Sequence, residues 1–213
     1  MIDERQFPDK ETILKIIQEK KMLQENPVAL AQQWATEDVY VLDTETTGLG
    51  KYAQVVEIAV TDIDGNVIFQ HRLRPSVLIE AAAQDVHGIS LSELRNEPQW
   101  PHIADELIPR LLSRPLIIFN AEFDLRILAQ TAKAFAMDTR WLNKVQSHCA
   151  MALAARFYGA TNRYGTISLA NAARAAGVSV KGKAHSAAVD CQTTAAVVRA
   201  IANSTKNNVT ADN

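Results

Sequence analysis

Three short segments carry side chains that could do chemistry together. The first is Asp43-Thr44-Glu45, which follows the apolar run Val39-Tyr40-Val41-Leu42. That run reads as a buried strand, and side chains at i and i+2 share one face of a strand. Two carboxylates on one partly buried face repel each other and lose hydration, and a hard divalent cation relieves both problems. Thr46-Thr47-Gly48 comes next, where glycine lets the backbone turn away close to whatever the carboxylates hold. The second segment is Asn120-Ala121-Glu122-Phe123-Asp124, just past the short apolar stretch 116–119. Strand ends are where α/β sheets place ligands, although Asp124 by itself reads as a helix N-terminal acid favoured by the dipole. The third is His185-Ser186-Ala187-Ala188-Val189-Asp190. A five-residue step turns a helix by about 140°. The pair therefore converges only if His185 lies on a loop and Asp190 in the first turns of a helix. Lys181-Gly182-Lys183 supplies a flexible basic lead-in, and Ser186 is a candidate cap.

Together the segments offer four carboxylates, Asp43, Glu45, Asp124 and Asp190, and one histidine. Such oxygen ligands suit Mg²⁺ or Mn²⁺, whereas zinc would want more nitrogen or sulfur. Two Mg²⁺ ions about 4 Å apart polarise phosphoryl oxygens, generate hydroxide and stabilise a leaving alkoxide. A histidine with its ordinary pKa of about 6.5 is a suitable base for the attacking water. The chemistry these residues point to is metal-dependent hydrolysis of a phosphodiester.

The elements that must position them follow from the hydrophobic pattern. Residues 1–37 read as a helical extension: Ile13, Ile16, Ile17 and Leu23 fall at helical spacing, Asn26-Pro27 breaks the helix, and a second short helix runs over 27–34. The extension either docks on the core or meets a protein partner. The main domain, 38–203, opens with the strand before Asp43. Strands over 54–62 and 66–73 follow, joined by the turn Asp64-Gly65-Asn66, whose glycine and asparagine tolerate positive φ. Helices are expected over 103–112 and 123–137, a short strand over 116–119, and a fifth strand over 147–151 running into a helix through residue 157. Two more helices read over 168–176, with Ser168 as cap and Gly177 at the C′ position, and over 186–203. Residues 204–213 form a polar tail. Hairpin-linked strands followed by alternating helices and strands give an α/β layer structure with a mixed five-stranded sheet.

Composition narrows the classes. At 213 residues, 47% hydrophobic and 22% charged, the chain can bury a core without staples and is neither a disordered tail nor a rod. No apolar run approaches the ~20 residues of a membrane span, and the N-terminus lacks an apolar signal region. Cys149 and Cys191 stand far apart with no CxxC nearby, which fits a reducing cytoplasm. The net charge of −2 hides a split: between Asp138 and Asp190 there are seven bases and no acid, and the remainder carries 15 bases against 24 acids. Such asymmetry points to a polyanionic partner, the other reading being chance clustering on a solvated face.

The three segments, in this order, resemble the three motifs of the DEDDh exonucleases, in particular the proofreading (DnaQ-like) subunit of bacterial replicative polymerase. The resemblance covers about residues 38–202, and Glu57-Ile58 and Val86-His87-Gly88-Ile89 also look like family features. It implies an RNase H-like fold and 3′→5′ removal of single nucleotides from a nucleic-acid end, with single-stranded DNA 3′ ends as the expected partner. It implies further that Asp43, Glu45, Asp124 and Asp190 hold two Mg²⁺ ions, for which Mn²⁺ substitutes, and that His185 is the general base. Thr46 through Leu49 match the segment bordering the terminal nucleotide. His87 is a candidate substrate contact or a satisfied structural histidine, and Phe123 a stacking platform or part of the core. Lys181 and Lys183, so close to His185, are candidates for phosphate contacts. Two other readings stand beside this one: an RNA-end trimmer with the same residues, since nothing here decides whether a 2′-OH is accepted, and a non-catalytic interaction module on the same fold.

Overall fold

The computed structural model describes residues 26–179, Gly182 and residues 185–204. The expected first helix, Lys181, Lys183 and nearly all of the polar tail lie outside the described residues. Five strands form one sheet in the order β3-β2-β1-β4-β5: β1 (Tyr40–Thr46), β2 (Val55–Asp62), β3 (Val67–Arg72), β4 (Leu116–Ile118) and β5 (Ser147–Cys149). The first three are antiparallel neighbours, while β4 and β5 run parallel to β1, so the sheet is mixed as expected. The fold is an RNase H-like α/β sandwich.

β1 lies at the centre because its residues are apolar on both faces. Val41 joins the core beneath one helical layer and Leu42 the core beneath the other. The first layer comprises α1 (Pro27–Thr36), α5 (Ala150–Tyr158), α6 (Leu169–Ala176) and α7 (Ala187–Ala202). The second comprises α3 (Trp100–Ser113) and α4 (Ala121–Ala134). Alternation then sends Asp43 and Glu45 toward α7 with Val41, and Thr44 toward α4 with Leu42.

α7 lies close over the sheet because its inner face is small: Ala187, Ala188, Cys191 and Ala195 are buried, and the Cys191 thiol donates to the carbonyls of Val41 and Ala59, each at 3.4 Å. α1 docks on this layer. Asn26 caps it by accepting from Val28 and Ala29, Val28, Ala31 and Trp34 are buried, and Gln32 bonds the Ala202 carbonyl at the end of α7. The remaining expectations hold with shifted ends. Ser168 caps α6 and Gly177 terminates it in the left-handed region. The 123–137 helix begins at Ala121 and ends at Ala134, with Ala136 turned to positive φ. The fifth strand stops at Cys149 because β4 offers only three residues to pair with. The short helix α2 (Ala81–His87), ended by Gly88 at φ 73°, has no counterpart in the sequence reading.

Candidate active site

The three segments meet at the C-terminal ends of β1 and β4. Asp43 and Glu45 come from β1, Asp124 from the first turn of α4 and Asp190 from the first turn of α7. His185 precedes α7 in the left-handed region, with φ 60°, and is exposed at the rim. This resolves the five-residue spacing, since His185 is off the helix. Ligand atoms of Glu45, His185 and Asp190 lie within 4.8 Å of one another. Asp124 is only 4% exposed and is oriented by Thr44, whose hydroxyl donates to Oδ1 at 2.7 Å. Thr44 was missed by the sequence reading, for it faces the opposite side of β1 from its acidic neighbours. Only the way α4 crosses the strand end gives it a role.

The acids are crowded. Burial, and then the charges of Asp124, Asp190, Glu45 and Glu57, push the Asp43 carboxyl well above its usual range. Burial lifts Asp124 to about 7, opposed by the Thr44 hydrogen bond. Burial also raises Asp190, opposed by the charge and the backbone N–H of His185. Such a set, oxygen-rich with one imidazole, converging and mutually repelling, suits a hard divalent cation.

Beside the acids, touching them through Thr44 and Glu45, is a cavity of about 360 Å³. Thr46, Gly48, Leu49, Val86, His87 and Phe123 also line it. His87 is buried and its polar atoms are engaged. Nδ1 accepts from the Ile89 N–H at 2.9 Å, which places the ring proton on Nε2, 3.1 Å from the Thr46 carbonyl. What it offers the cavity is ring surface and a fixed Thr46. Phe123 is partly buried against the core and also faces the cavity, so both readings of it describe one position. Glu80, Ala82 and Ala83 of the α2 segment complete the wall. Nothing in the sequence singled them out, because α2 itself was not legible.

The expected Ser186 cap is corrected. Ser186 occupies the N-cap position of α7 but its side chain makes no capping bond. Glu57 of β2 does this instead: Oε2 accepts from the Ala187 N–H at 2.9 Å, while Oε1 pairs with Arg72 at 3.2 Å. Glu57 is 3% exposed and pairs directly with Glu45 across the β1–β2 ladder, and its charge adds to the repulsion on Asp43. Its compensation is the helix N-terminus and the guanidinium. Glu57 thereby ties the start of α7, with His185 and Asp190 on either side, to the sheet carrying Asp43 and Glu45. Glu57→Ala is expected to lower kcat about 10- to 100-fold with little change in KM, the range seen when a partner that orients metal ligands is lost. Glu57→Gln, which retains the acceptor, should recover most of this. Steady-state kinetics of the two variants is the check, and equal defects in both would refute the orienting role.

The Exonuclease family profile matches residues 40–198. A protein of Escherichia phage 186 named uncharacterized exonuclease CP81 is 36% identical over 179 residues, covering 81% of this chain and 92% of its own length. The DNA polymerase III epsilon subunit of Buchnera aphidicola subsp. Schizaphis graminum is 30% identical over 124 residues, and that of Escherichia coli K12 is 29% identical over 119. The match spans about half the length of those subunits, 52% and 48%. Among solved structures, Exonuclease X in complex with 5′ overhanging duplex DNA superposes with a TM-score of 0.57 and 26% identity, over 78% of this chain and 91% of that one. The nuclease domain of 3′hExo, a DEDDh family member bound to rAMP, shares the fold with a TM-score of 0.60 at 14% identity, over 77% and 92%.

Proposed function

The chain belongs to the Exonuclease family, and from that premise we propose that it is a metal-dependent 3′→5′ exonuclease that releases nucleoside monophosphates from DNA ends. The observation that carries this reading is the convergence of Asp43, Glu45, Asp124, Asp190 and His185, from three distant segments, beside a cavity of about 360 Å³. The acids are suited to the scissile phosphate and the cavity to one unpaired terminal nucleoside, so a single-stranded 3′ end is the form taken up directly. DNA is favoured because the epsilon relatives are DNA polymerase subunits and Exonuclease X binds a DNA duplex.

Asp43, Glu45, Asp124 and Asp190 are the residues to hold two Mg²⁺ or Mn²⁺ ions, which when bound would neutralise charge on the phosphoryl oxygens. Thr44 fixes the rotamer of Asp124. His185, exposed where solvent water arrives, takes the proton of the attacking water and passes it to bulk. Phe123, Val86 and the His87 ring keep water from the nucleoside side of the bond. Cys149 and Cys191 are free thiols, in keeping with a reducing cytoplasm. Among the described residues no helix is long and apolar enough to cross a membrane. α1 docks on the nuclease domain, 38–203, and the extension 1–37 that contains it is the segment a protein partner could engage.

The test is purified protein with 5′-labelled single-stranded DNA, duplex DNA and RNA of one sequence, in Mg²⁺, Mn²⁺ or EDTA. Stepwise shortening of labelled DNA, abolished by EDTA, is the expected result. Early release of the 5′ label would reverse the direction, and degradation of RNA alone would replace DNA as substrate.

A further inference from the structure

The cavity beside the acids is lined by a carboxylate that the reaction does not use. Of the five polar side chains in its wall, four are committed. Glu45 belongs to the acidic cluster, and the Thr44 hydroxyl donates to Asp124. The Thr46 hydroxyl donates to the Gly48 carbonyl at 2.8 Å, and both ring nitrogens of His87 are engaged. The fifth is Glu80. Among the described residues its carboxylate has no hydrogen-bond or ion-pair partner.

Its backbone is pinned on both sides. The Glu80 N–H donates to the Thr47 carbonyl at 2.8 Å, and its own carbonyl accepts from Ala83 and Gln84 at 3.0 Å each, in the first turn of α2. The carboxyl group lies against Gly48, in the space a side chain there would fill: a Cβ on Gly48 would overlap Cδ and both carboxylate oxygens. The glycine that follows the first acidic segment thus makes room for this carboxylate. Glu80 also borders a separate hollow of about 310 Å³, which none of the converging acids lines. It therefore stands at the end of the cavity away from Thr44 and Glu45.

A terminal nucleotide with its scissile phosphate at the acids turns its base toward that end. Leu49, Val86, Phe123 and the His87 ring offer apolar surface to the face of any base, and the edge of the base falls to Glu80. A carboxylate only accepts hydrogen bonds. Guanine offers it N1–H and the N2 amino group side by side, two donors for two oxygens. Adenine and cytosine each offer one amino group beside a ring nitrogen that accepts. Thymine offers one N–H between two carbonyls, whose oxygens repel a carboxylate. We infer that Glu80 is a specificity-determining residue: it reads the Watson–Crick edge of the terminal base, favouring guanine most and thymine least. This rests on the exonuclease reading above and names the terminal nucleotide it prefers.

The experiment uses single strands identical except for the 3′-terminal nucleotide, and reads kcat/KM for release of that nucleotide alone. The wild type should cut a dG end about 5- to 30-fold faster than a dT end, with dA and dC between. That is the lower part of the range for a bidentate contact to a base edge, because Glu80 is exposed. Deoxyinosine, which keeps N1–H and lacks the N2 amino group, should fall below dG. Glu80→Ala should collapse the spread toward one, chiefly by loss on dG. The side chain makes no capping bond to α2, so the variant is expected to fold. A flat wild-type profile in an active nuclease overturns the inference. So does an equal loss on all four ends in Glu80→Ala, which would put the carboxylate on the sugar hydroxyls. Calorimetric titration with dGMP and dTMP in Mn²⁺ separates this from the parent reading. Tighter binding of dGMP that Glu80→Ala abolishes supports the inference even if no DNA is cut, and equal binding of the two nucleotides refutes it.

Discussion

Asp43→Asn is expected to reduce turnover by at least about 10³-fold while raising the melting temperature of the metal-free protein. The loss follows from removing a central charge from the cluster proposed to hold the cations; several kcal/mol of transition-state stabilisation corresponds to that factor. The gain follows from the same crowding. Asp43 is desolvated and faces the charges of Asp124, Asp190, Glu45 and Glu57, so a neutral isostere relieves their mutual repulsion. The pH dependence has a definite sign. Asp124, at about 7 in the folded protein against an ordinary value near 3.8, binds a proton that the unfolded chain has released, and Asp43 and Asp190 are raised in the same sense. Their favourable contribution is complete below the unfolded pKa and is lost as pH rises toward and past 7. In EDTA the wild type should therefore melt at progressively lower temperature from pH 5 to pH 8, and Asp43→Asn should flatten that decline. Mg²⁺ or Mn²⁺ should raise the wild-type melting temperature most at the alkaline end, where the carboxylates are ionised. Calorimetry across that range, paired with turnover on labelled DNA, checks both halves. Near-normal turnover in the variant would remove Asp43 from the site.

His185→Ala is expected to lower kcat about 10²- to 10⁴-fold at saturating metal, with KM changed little, the loss typical of a missing general base. The geometry permits a different role, because the imidazole lies within ligand distance of Glu45 and Asp190. Metal titration separates the two. Loss of a base leaves the half-saturating Mn²⁺ concentration nearly unchanged, and excess Mn²⁺ does not restore kcat. A ligand shifts half-saturation upward, and excess Mn²⁺ then restores much of kcat. The exposed position and left-handed backbone of His185 favour the base: a side chain that must exchange protons with bulk water belongs at a rim. Recovery of activity by Mn²⁺ would overturn that assignment.

The layer order and the central place of β1 could be read in the chain, because a run such as Val39-Tyr40-Val41-Leu42 is apolar on both faces only where helices cover both sides of a sheet. The i, i+2 spacing of Asp43 and Glu45 likewise settled that they share a face, since strand geometry leaves no choice. For Asp124 and for the His185–Asp190 pair, residue type and position beyond a strand or before a helix marked candidates. Spacing along the chain could not bring them together, because 80 residues separate Asp43 from Asp124 only in sequence, as the Thr44–Asp124 hydrogen bond shows. Nor could it assign the cap of α7, for Ser186 has the right chemistry at the right position and is displaced by a carboxylate 130 residues away. α2 was equally out of reach, since a seven-residue helix has too few turns to print a period. Local physics thus determined each element and the kind of chemistry its side chains could do. Which groups face one another across a few ångströms was decided by packing, whose long-range contacts leave no signature in any short stretch of sequence.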